Sequence, residues 1–272
     1  MKFFLDSAIL SEIEEVYAAG VCDGITMNPS LVKKAAGTLK EKGEKISLES
    51  YIKKALKIAK GTPVSLEVTE LGYKGMVVQG KKIFKKFNPV AKNVYIKIPM
   101  NPSFEGETGK EFDGVKAIKE LRKAGIPVNC TLIFTPEQAL AAAKAGANFV
   151  SPFAGRIDDL LRKNAGLKFG KEDYFPSAGI DHEGAILNDN GIISGVDLVA
   201  QTTHIFRLHK VKCEVLAASL RNSRQVRECA LAGADIATMG IDTFKELMGH
   251  KLTREGMKKF TEDAPEEYKK IV

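Results

Sequence analysis

The chain has 272 residues, 44% of them hydrophobic, and a formal net charge of +7 at pH 7, and no apolar run approaches the roughly 20 residues that cross a bilayer. The first ten residues, MKFFLDSAIL, reach an aspartate too early for a signal peptide, so we expect a cytoplasmic protein without a membrane partner. The lysines are spread among glutamates, which argues against a nucleic-acid partner, although the positive charge favours small anionic substrates such as phosphates.

Short runs that are typical of β-strands recur along the chain. In chain order they are KFFLD (2–6), GITMNPS (24–30), PVSLEV (63–68), VYIKIP (94–99), PVNCTLIF (127–134), NFVSPF (148–153), CEVLAAS (213–219) and DIATMG (235–240). Segments with helical periodicity lie between most of them and carry boundary signals. SEIEEVYAAG (11–20) ends on a C-cap glycine, PEQALAAAKAGA (136–147) has proline in its first turn, and NSRQVRECALAGA (222–234) opens on an Asn222 cap.

This alternation of eight strands with helices predicts an α/β fold, a closed (β/α)8 barrel that occupies the chain as a single domain. A doubly wound open sheet is the alternative. It is disfavoured because no glycine-rich phosphate fingerprint follows the first strand.

The fourth predicted strand contains a lysine in an otherwise apolar run. Lys97 allows two interpretations: it lies on an exposed face, or it points into a closed site where its amine must lose a proton to act. Composition alone does not choose between them.

Polar residues stand late in, or just after, the first seven predicted strands, where a barrel has its active site. They are Asp6, Asn28, Glu67, Lys97, Asn129, Thr131, Ser151, Ser219 and Arg221, with Arg156 shortly after the sixth strand. Each alone has an ordinary explanation, such as a helix cap or a surface ion pair. Together they form a set suited to imine chemistry on a phosphorylated carbonyl compound. Metal ligation is not indicated, because the histidines and cysteines lack ligand spacing.

At these positions the sequence resembles the transaldolase family, and most of all the short-chain branch that includes fructose-6-phosphate aldolase. The matching segments are FFLDSA (3–8), DGITMNPSLV (23–32), VSLEV (64–68), VYIKIPM (94–100), NCTLIFTPEQALAAAKAGANFVSPFAGRIDD (129–159), LAASLRNSRQVRECALAGADIATM (216–239) and HKLTREGMKKFTED (250–263). The resemblance implies a barrel enzyme that works through a Schiff base without metal or cofactor. The implied reaction, in the pentose phosphate pathway, converts sedoheptulose 7-phosphate and glyceraldehyde 3-phosphate into erythrose 4-phosphate and fructose 6-phosphate.

The resemblance also implies roles for individual residues. Lys97 matches the Schiff-base lysine, Asp6 the acid/base, Glu67 a carboxylate that works with a bound water, and Thr131 the threonine that holds this water. The substrate-binding positions are Asn28, Asn129 and Ser151 for the dihydroxyacetone part, Arg156, Ser219 and Arg221 for phosphate, and Phe153 near the reacting centre, with Ser30 as a further substrate-binding position.

Two alternatives to transaldolase remain. The aldolase subgroup, which releases free dihydroxyacetone, has glutamine and tyrosine where this chain has Glu67 and Phe153, so the sequence favours transfer. A barrel that binds without catalysis is remote, because every chemical position is filled.

The chain departs from the short-chain pattern in two insertions, about 101–113 after the fourth strand and about 161–194 after the sixth. We expect both at the catalytic mouth, since strand-to-helix connections emerge there. The resemblance implies a homo-oligomer, a pentamer or decamer, in which a C-terminal helix, about 254–272, packs between subunits.

Overall fold

Parallel strands form the centre of the molecule. The computed structural model describes residues 1–41, 47–100 and 103–271, and within these ranges eight parallel strands form a closed barrel. The barrel strands are β1 Lys2–Asp6, β2 Gly24–Thr26, β3 Val64–Glu67, β4 Val94–Pro99, β5 Val128–Ile133, β6 Phe149–Pro152, β9 Glu214–Ala217 and β10 Ile236–Met239, and β7 Asp181–His182 and β8 Ala185–Ile186 form a separate hairpin. Strand β10 pairs with β1 and closes the ring. The predicted barrel is confirmed, and the open sheet is wrong.

Helices surround the barrel. They are α1 Leu10–Ala18, α2 Pro29–Glu41, α3 Leu48–Ile58, α4 Tyr73–Ala91, α5 Asp113–Lys123, α6 Pro136–Lys144, α7 Ala154–Asn164, α8 Gly195–Leu208, α9 Ser223–Leu231, α10 Ile241–Met248, α11 Lys251–Asp263 and α12 Glu266–Lys269. The sequence signals for helix ends are confirmed. The side chains of Thr135 and Asn222 cap α6 and α9, and Gly20 takes a left-handed φ of 72° just after α1. In the part of the chain that the structure describes, no helix is long and apolar enough to cross a membrane.

An apolar layer fills the lower part of the barrel interior. Phe4 and Phe149 meet edge to face with ring centroids 6.0 Å apart, and Tyr95 stacks on Phe149 at 4.7 Å. Leu216 and Ile236 complete this layer. A Cβ at position 24 would lie 2.6 Å from the Phe4 ring, so only glycine fits beside it. Because side chains alternate along each strand, the next inward layer lies nearer the mouth, and there the residues become polar.

The second insertion is a packed part of the fold. Phe175 is fully buried with Ile157 and Leu161 of α7 and Leu198 of α8. The Arg162 guanidinium lies 4.5 Å from the centroid of the Phe175 ring. The insertion therefore has its own small core against the outer helices.

Asp158 joins this insertion to two helices. Its buried carboxylate accepts N–H donors from Phe175 at 3.0 Å, from Gly195 at 2.7 Å and from the side chain of Gln225 at 2.9 Å. Burial raises the pKa of Asp158 to about 6. Three donors suit a carboxylate, which only accepts, so Asp158 fixes the insertion on the starts of α8 and α9.

The first insertion has no helix or strand over residues 103–112, and Asn101 and Pro102 lie outside the described residues. At the C-terminus the predicted helix 254–272 is divided. Helix α11 ends at Asp263, and Ala264, which precedes Pro265, has an extended ψ of 121° because a residue before proline avoids the helical region. Val272 lies outside the described residues.

Candidate active site

A cavity of about 420 Å³ opens at the carboxyl ends of the barrel strands. Most of the predicted site residues line it, namely Asp6, Asn28, Ser30, Glu67, Lys97, Ser151, Phe153, Arg156 and Ser219. A larger cavity of about 590 Å³ lies elsewhere, beside β9 and α8, and none of the predicted residues lines it. We place the chemistry in the smaller cavity, because an amine and two carboxylates converge there.

Lys97 points into the barrel and is only 4% exposed. Register explains its partner: Glu67 on β3 lies directly beside Lys97 on β4, so both side chains face inward. The Lys97 Nζ lies 3.1 Å from Glu67 Oε2 and 5.7 Å from the centroid of the Phe153 ring. The inward interpretation of this lysine agrees with the structure, and the exposed one is wrong.

Asp6 stands at the end of β1 in the same cavity. Burial raises the pKa of its carboxyl, and this rise is opposed by the charge of Lys97 and by a hydrogen bond from Thr26. The Thr26 hydroxyl donates to Asp6 Oδ1 at 2.7 Å. A carboxyl group whose proton affinity is raised in this way is suited to accept and return a proton during a reaction.

Asn129 lies beside Lys97 in register but does not line the cavity. Its amide is fixed at both ends: the Nδ2 donates to Ser65 Oγ at 3.1 Å, and the Oδ1 accepts from Ser151 Oγ at 2.7 Å. All three side chains are buried. The amide has one fixed orientation beneath the reacting groups.

Thr131 is fully buried one inward step above Asn129 on β5. Within the described residues its hydroxyl has no hydrogen-bond partner. Directly after it the β5–β6 register shifts, and Leu132 takes a left-handed φ of 56° with its side chain at the cavity. A buried hydroxyl without a protein partner is suited to bind a water or a substrate oxygen.

Polar and cationic groups stand around the mouth. Asn28 caps α2, because its Oδ1 accepts the Leu31 N–H at 2.9 Å, and Ser30 is exposed in the first turn. Arg156 is exposed in the first turn of α7. Beside α7, Ser219 follows β9, the strand next to β6, with a left-handed φ of 61°. This rim offers hydroxyl, amide and guanidinium donors to an anionic substrate.

Arg221 is not brought to the cavity. Its Nη2 donates to Asp159, with which it forms an ion pair, and to the carbonyl oxygen of Gly155 at 3.3 Å. A Cβ at position 155 would lie 2.2 Å from the Ser219 carbonyl oxygen, so this glycine lets α7 approach the loop after β9. Among the described residues of the insertions, 103–113 and 161–194, none lines the cavity.

Sequence reasoning missed Ser65, Thr26, Thr238 and Leu132. Ser65 and Thr26 could have been found from the alternation of side chains along a strand. Ser65 lies two residues before Glu67, and Thr26 lies two residues before Asn28, so each is expected on the same face as the later residue. Thr238 lies in the last strand, DIATMG, from which no site residue was selected. Leu132 reaches the cavity only through a bulge, for which the sequence gives no signal.

Comparison with known proteins gives a consistent result. A family model described as Transaldolase/Fructose-6-phosphate aldolase matches residues 3–271. A probable transaldolase from Bacteroides thetaiotaomicron is 39% identical over 271 residues, which cover 100% of this chain and 99% of that protein. Probable transaldolases from Geobacillus kaustophilus and Chlorobium chlorochromatii are 35% and 38% identical, each over 97% of this chain and 98% of the relative.

Proposed function

Because the chain belongs to the transaldolase/fructose-6-phosphate aldolase family, we propose that it transfers a dihydroxyacetone unit from a ketose phosphate to an aldose phosphate through a Schiff base on Lys97. The observation that carries this proposal is the inward, desolvated Lys97 amine beside Glu67, in one cavity with Asp6. We place the reaction, sedoheptulose 7-phosphate with glyceraldehyde 3-phosphate, in the cytoplasmic pentose phosphate pathway.

Imine formation needs a neutral amine and a route for protons. Glu67 lies within hydrogen-bond distance of Lys97 Nζ, so it can take a proton from the ammonium. The free amine then attacks the ketose carbonyl, and Glu67 returns the proton to the carbinolamine hydroxyl, which leaves as water to give the iminium. Thr131 does not line the cavity, but its buried hydroxyl has no partner among the described residues, which supports the proposal that it holds that water.

Carbon–carbon cleavage follows from the electron demand of the iminium. Asp6 takes the proton of the C4 hydroxyl, the C3–C4 bond breaks, and its electron pair moves into the iminium to give an enamine. The aldose phosphate leaves. A second aldehyde then accepts the enamine carbon while Asp6 returns the proton to the new hydroxyl oxygen, and hydrolysis of the imine frees Lys97.

Substrate binding is divided between the floor and the rim of the cavity. Asn28, Ser30 and Ser151 bind the hydroxyl groups of the dihydroxyacetone part, and Asn129, which does not line the cavity, contributes by holding the Ser151 hydroxyl. Arg156 and Ser219 bind phosphate at the rim, with Phe153 over the reacting centre. Arg221, which pairs with Asp159 and does not line the cavity, would join them only if its side chain moved towards the rim.

The first test is the nucleophile itself. Lys97→Met fills a similar volume without an amine, so the protein should stay folded and lose the adduct that borohydride traps with fructose 6-phosphate, as measured by intact mass. Lys85→Met, at an exposed position of α4, should keep the full adduct. An undiminished adduct in Lys97→Met would show that another amine reacts.

A second test separates transfer from aldolase cleavage. Glu67→Gln with Phe153→Tyr changes two side chains beside the Lys97 amine, and with them the placement of water at the imine. We expect the ratio of transfer to released dihydroxyacetone to fall several-fold in the double variant, assayed with and without erythrose 4-phosphate. An unchanged ratio removes the basis for preferring transferase over aldolase.

A third test concerns Thr131. Thr131→Val removes a hydroxyl with no protein partner, so the free energy of unfolding should change by less than about 0.5 kcal/mol while turnover falls at least tenfold. Thr203→Val is the matched control: its hydroxyl donates to the Ala232 carbonyl at 2.6 Å, so stability should fall by about 1 kcal/mol with normal turnover. The reverse pattern contradicts a water-binding role for Thr131.

We also propose that α11 packs against a second copy of the chain. Leu252, Met257 and Phe260 share one side of this helix and are 67%, 65% and 75% exposed, and α11 buries none of its residues in the protomer. Phe260→Glu should lower the mass measured by light scattering. Leu231→Glu, at an exposed leucine of α9, should leave the mass unchanged. A wild-type mass of one chain would refute the proposal.

A further inference from the structure

Three side chains on adjacent strands form a hydrogen-bonded chain at the base of the cavity. The Thr26 hydroxyl of β2 donates to Asp6 Oδ1 of β1 at 2.7 Å. The same hydroxyl oxygen lies 2.6 Å from the Thr238 hydroxyl of β10. Both threonines are only 2% exposed. Strands β2 and β10 flank β1, so the barrel itself places these hydroxyls on either side of the aspartate.

The direction of this chain follows from counting protons. A threonine hydroxyl has one proton and can donate once. While Asp6 is a carboxylate, Thr26 donates to it, so the Thr26 oxygen must accept from Thr238. When Asp6 Oδ1 carries the proton, the order reverses: Asp6 donates to Thr26, and Thr26 donates to Thr238. Two hydroxyl rotations therefore fit the network to either state without moving the backbone.

We propose that Thr26 and Thr238 are positioning residues that set the proton affinity of Asp6, favouring its carboxylate before cleavage and holding its acid form until the acceptor aldehyde takes the proton. The inference rests on the proposed function, in which Asp6 removes and returns the C4 hydroxyl proton. Neither threonine needs to touch the reacting atoms, because each acts through Asp6.

Among the described residues, few charged groups near Asp6 compete with Thr26 and Thr238 in setting its proton affinity. In the cavity the charged side chains are Lys97, Glu67 and Arg156. The flanking strands, β2 Gly24–Thr26 and β10 Ile236–Met239, carry no titratable side chain. On the outer side, Glu12 of α1 accepts from Ser7, Lys245 of α10 pairs with Glu15, and Glu246 accepts from Ser223.

Lys97 and Glu67 form an ion pair, and Lys97 becomes part of the imine during the reaction, so its effect on Asp6 changes along the cycle. The threonine pair is present in every state. Burial raises the pKa of Asp6 and the Thr26 bond lowers it, so losing that bond moves the pKa further up. A hydrogen bond to a charged group corresponds to a shift of about one pH unit, and Thr238, which acts through Thr26, to a fraction of that.

The test is the pH dependence of kcat/KM for fructose 6-phosphate with erythrose 4-phosphate as acceptor. Cleavage needs ionised Asp6, so the rate falls below its pKa, and a raised pKa moves this acid limb to higher pH. We expect an upward shift of about one unit in Thr26→Val and about half a unit in Thr238→Val. Thr238→Ser keeps the hydroxyl and should keep the wild-type limb. Well above the limb, all variants should turn over within a few-fold of wild type.

Thr203→Val, a buried threonine outside the cavity, controls for the general effect of losing a hydroxyl. If Thr238→Val does not fold, Thr238→Ala gives the same comparison against Thr238→Ser. Rates that fall by one factor at every pH, or a limb that also shifts in Thr238→Ser, would overturn the inference. Borohydride trapping separates the two proposals: a wild-type protein without a Lys97 adduct refutes the function, whereas normal adducts with unshifted limbs refute only the role of the threonines.

Discussion

The ion pair of the buried Lys97 with the partly buried Glu67 is the constraint on which the rest of the site depends. Taking an ammonium and a carboxylate out of water costs several kcal/mol per ion, and their attraction offsets this only when the geometry is good. The barrel supplies that geometry through register, since adjacent parallel strands place the two side chains on one face at one height. Loss of either partner would leave an unpaired charge in the interior.

The aromatic lower layer and the polar upper layer of the barrel interior have different roles. The aromatic layer of Phe4, Tyr95 and Phe149 fills the lower part and excludes water from beneath the amine. Above it the inward positions are polar and are bonded to one another, as in the Ser65, Asn129 and Ser151 series. Such a network is rigid because each amide atom has a partner, and it presents Asn129 in a single orientation.

The barrel and most of the site were predictable because both follow from local pattern. Strand runs and caps depend on nearby residues, and the carboxyl ends of parallel strands meet at one mouth, so late polar residues such as Asp6 and Lys97 come together. Arg221 was placed with the phosphate group, but the structure pairs it with Asp159, a contact between distant segments. The core around Phe175 could not be predicted from the sequence either. It is held by Asp158, whose carboxylate accepts three N–H donors from separate segments of the chain, and no local sequence pattern indicates such contacts.

The burial of this site also affects the cleavage step of the proposed cycle, because the number of charges in the cavity changes there. Before cleavage the cavity holds a cationic iminium and two carboxylates. When Asp6 takes the C4 proton and the iminium becomes an enamine, one positive and one negative charge disappear together. A desolvated cavity favours such a loss of charge, for the same reason that burial raises the pKa of Asp6. The burial that makes the Lys97 charge costly therefore stabilises the enamine, the intermediate that must persist until the second aldehyde arrives.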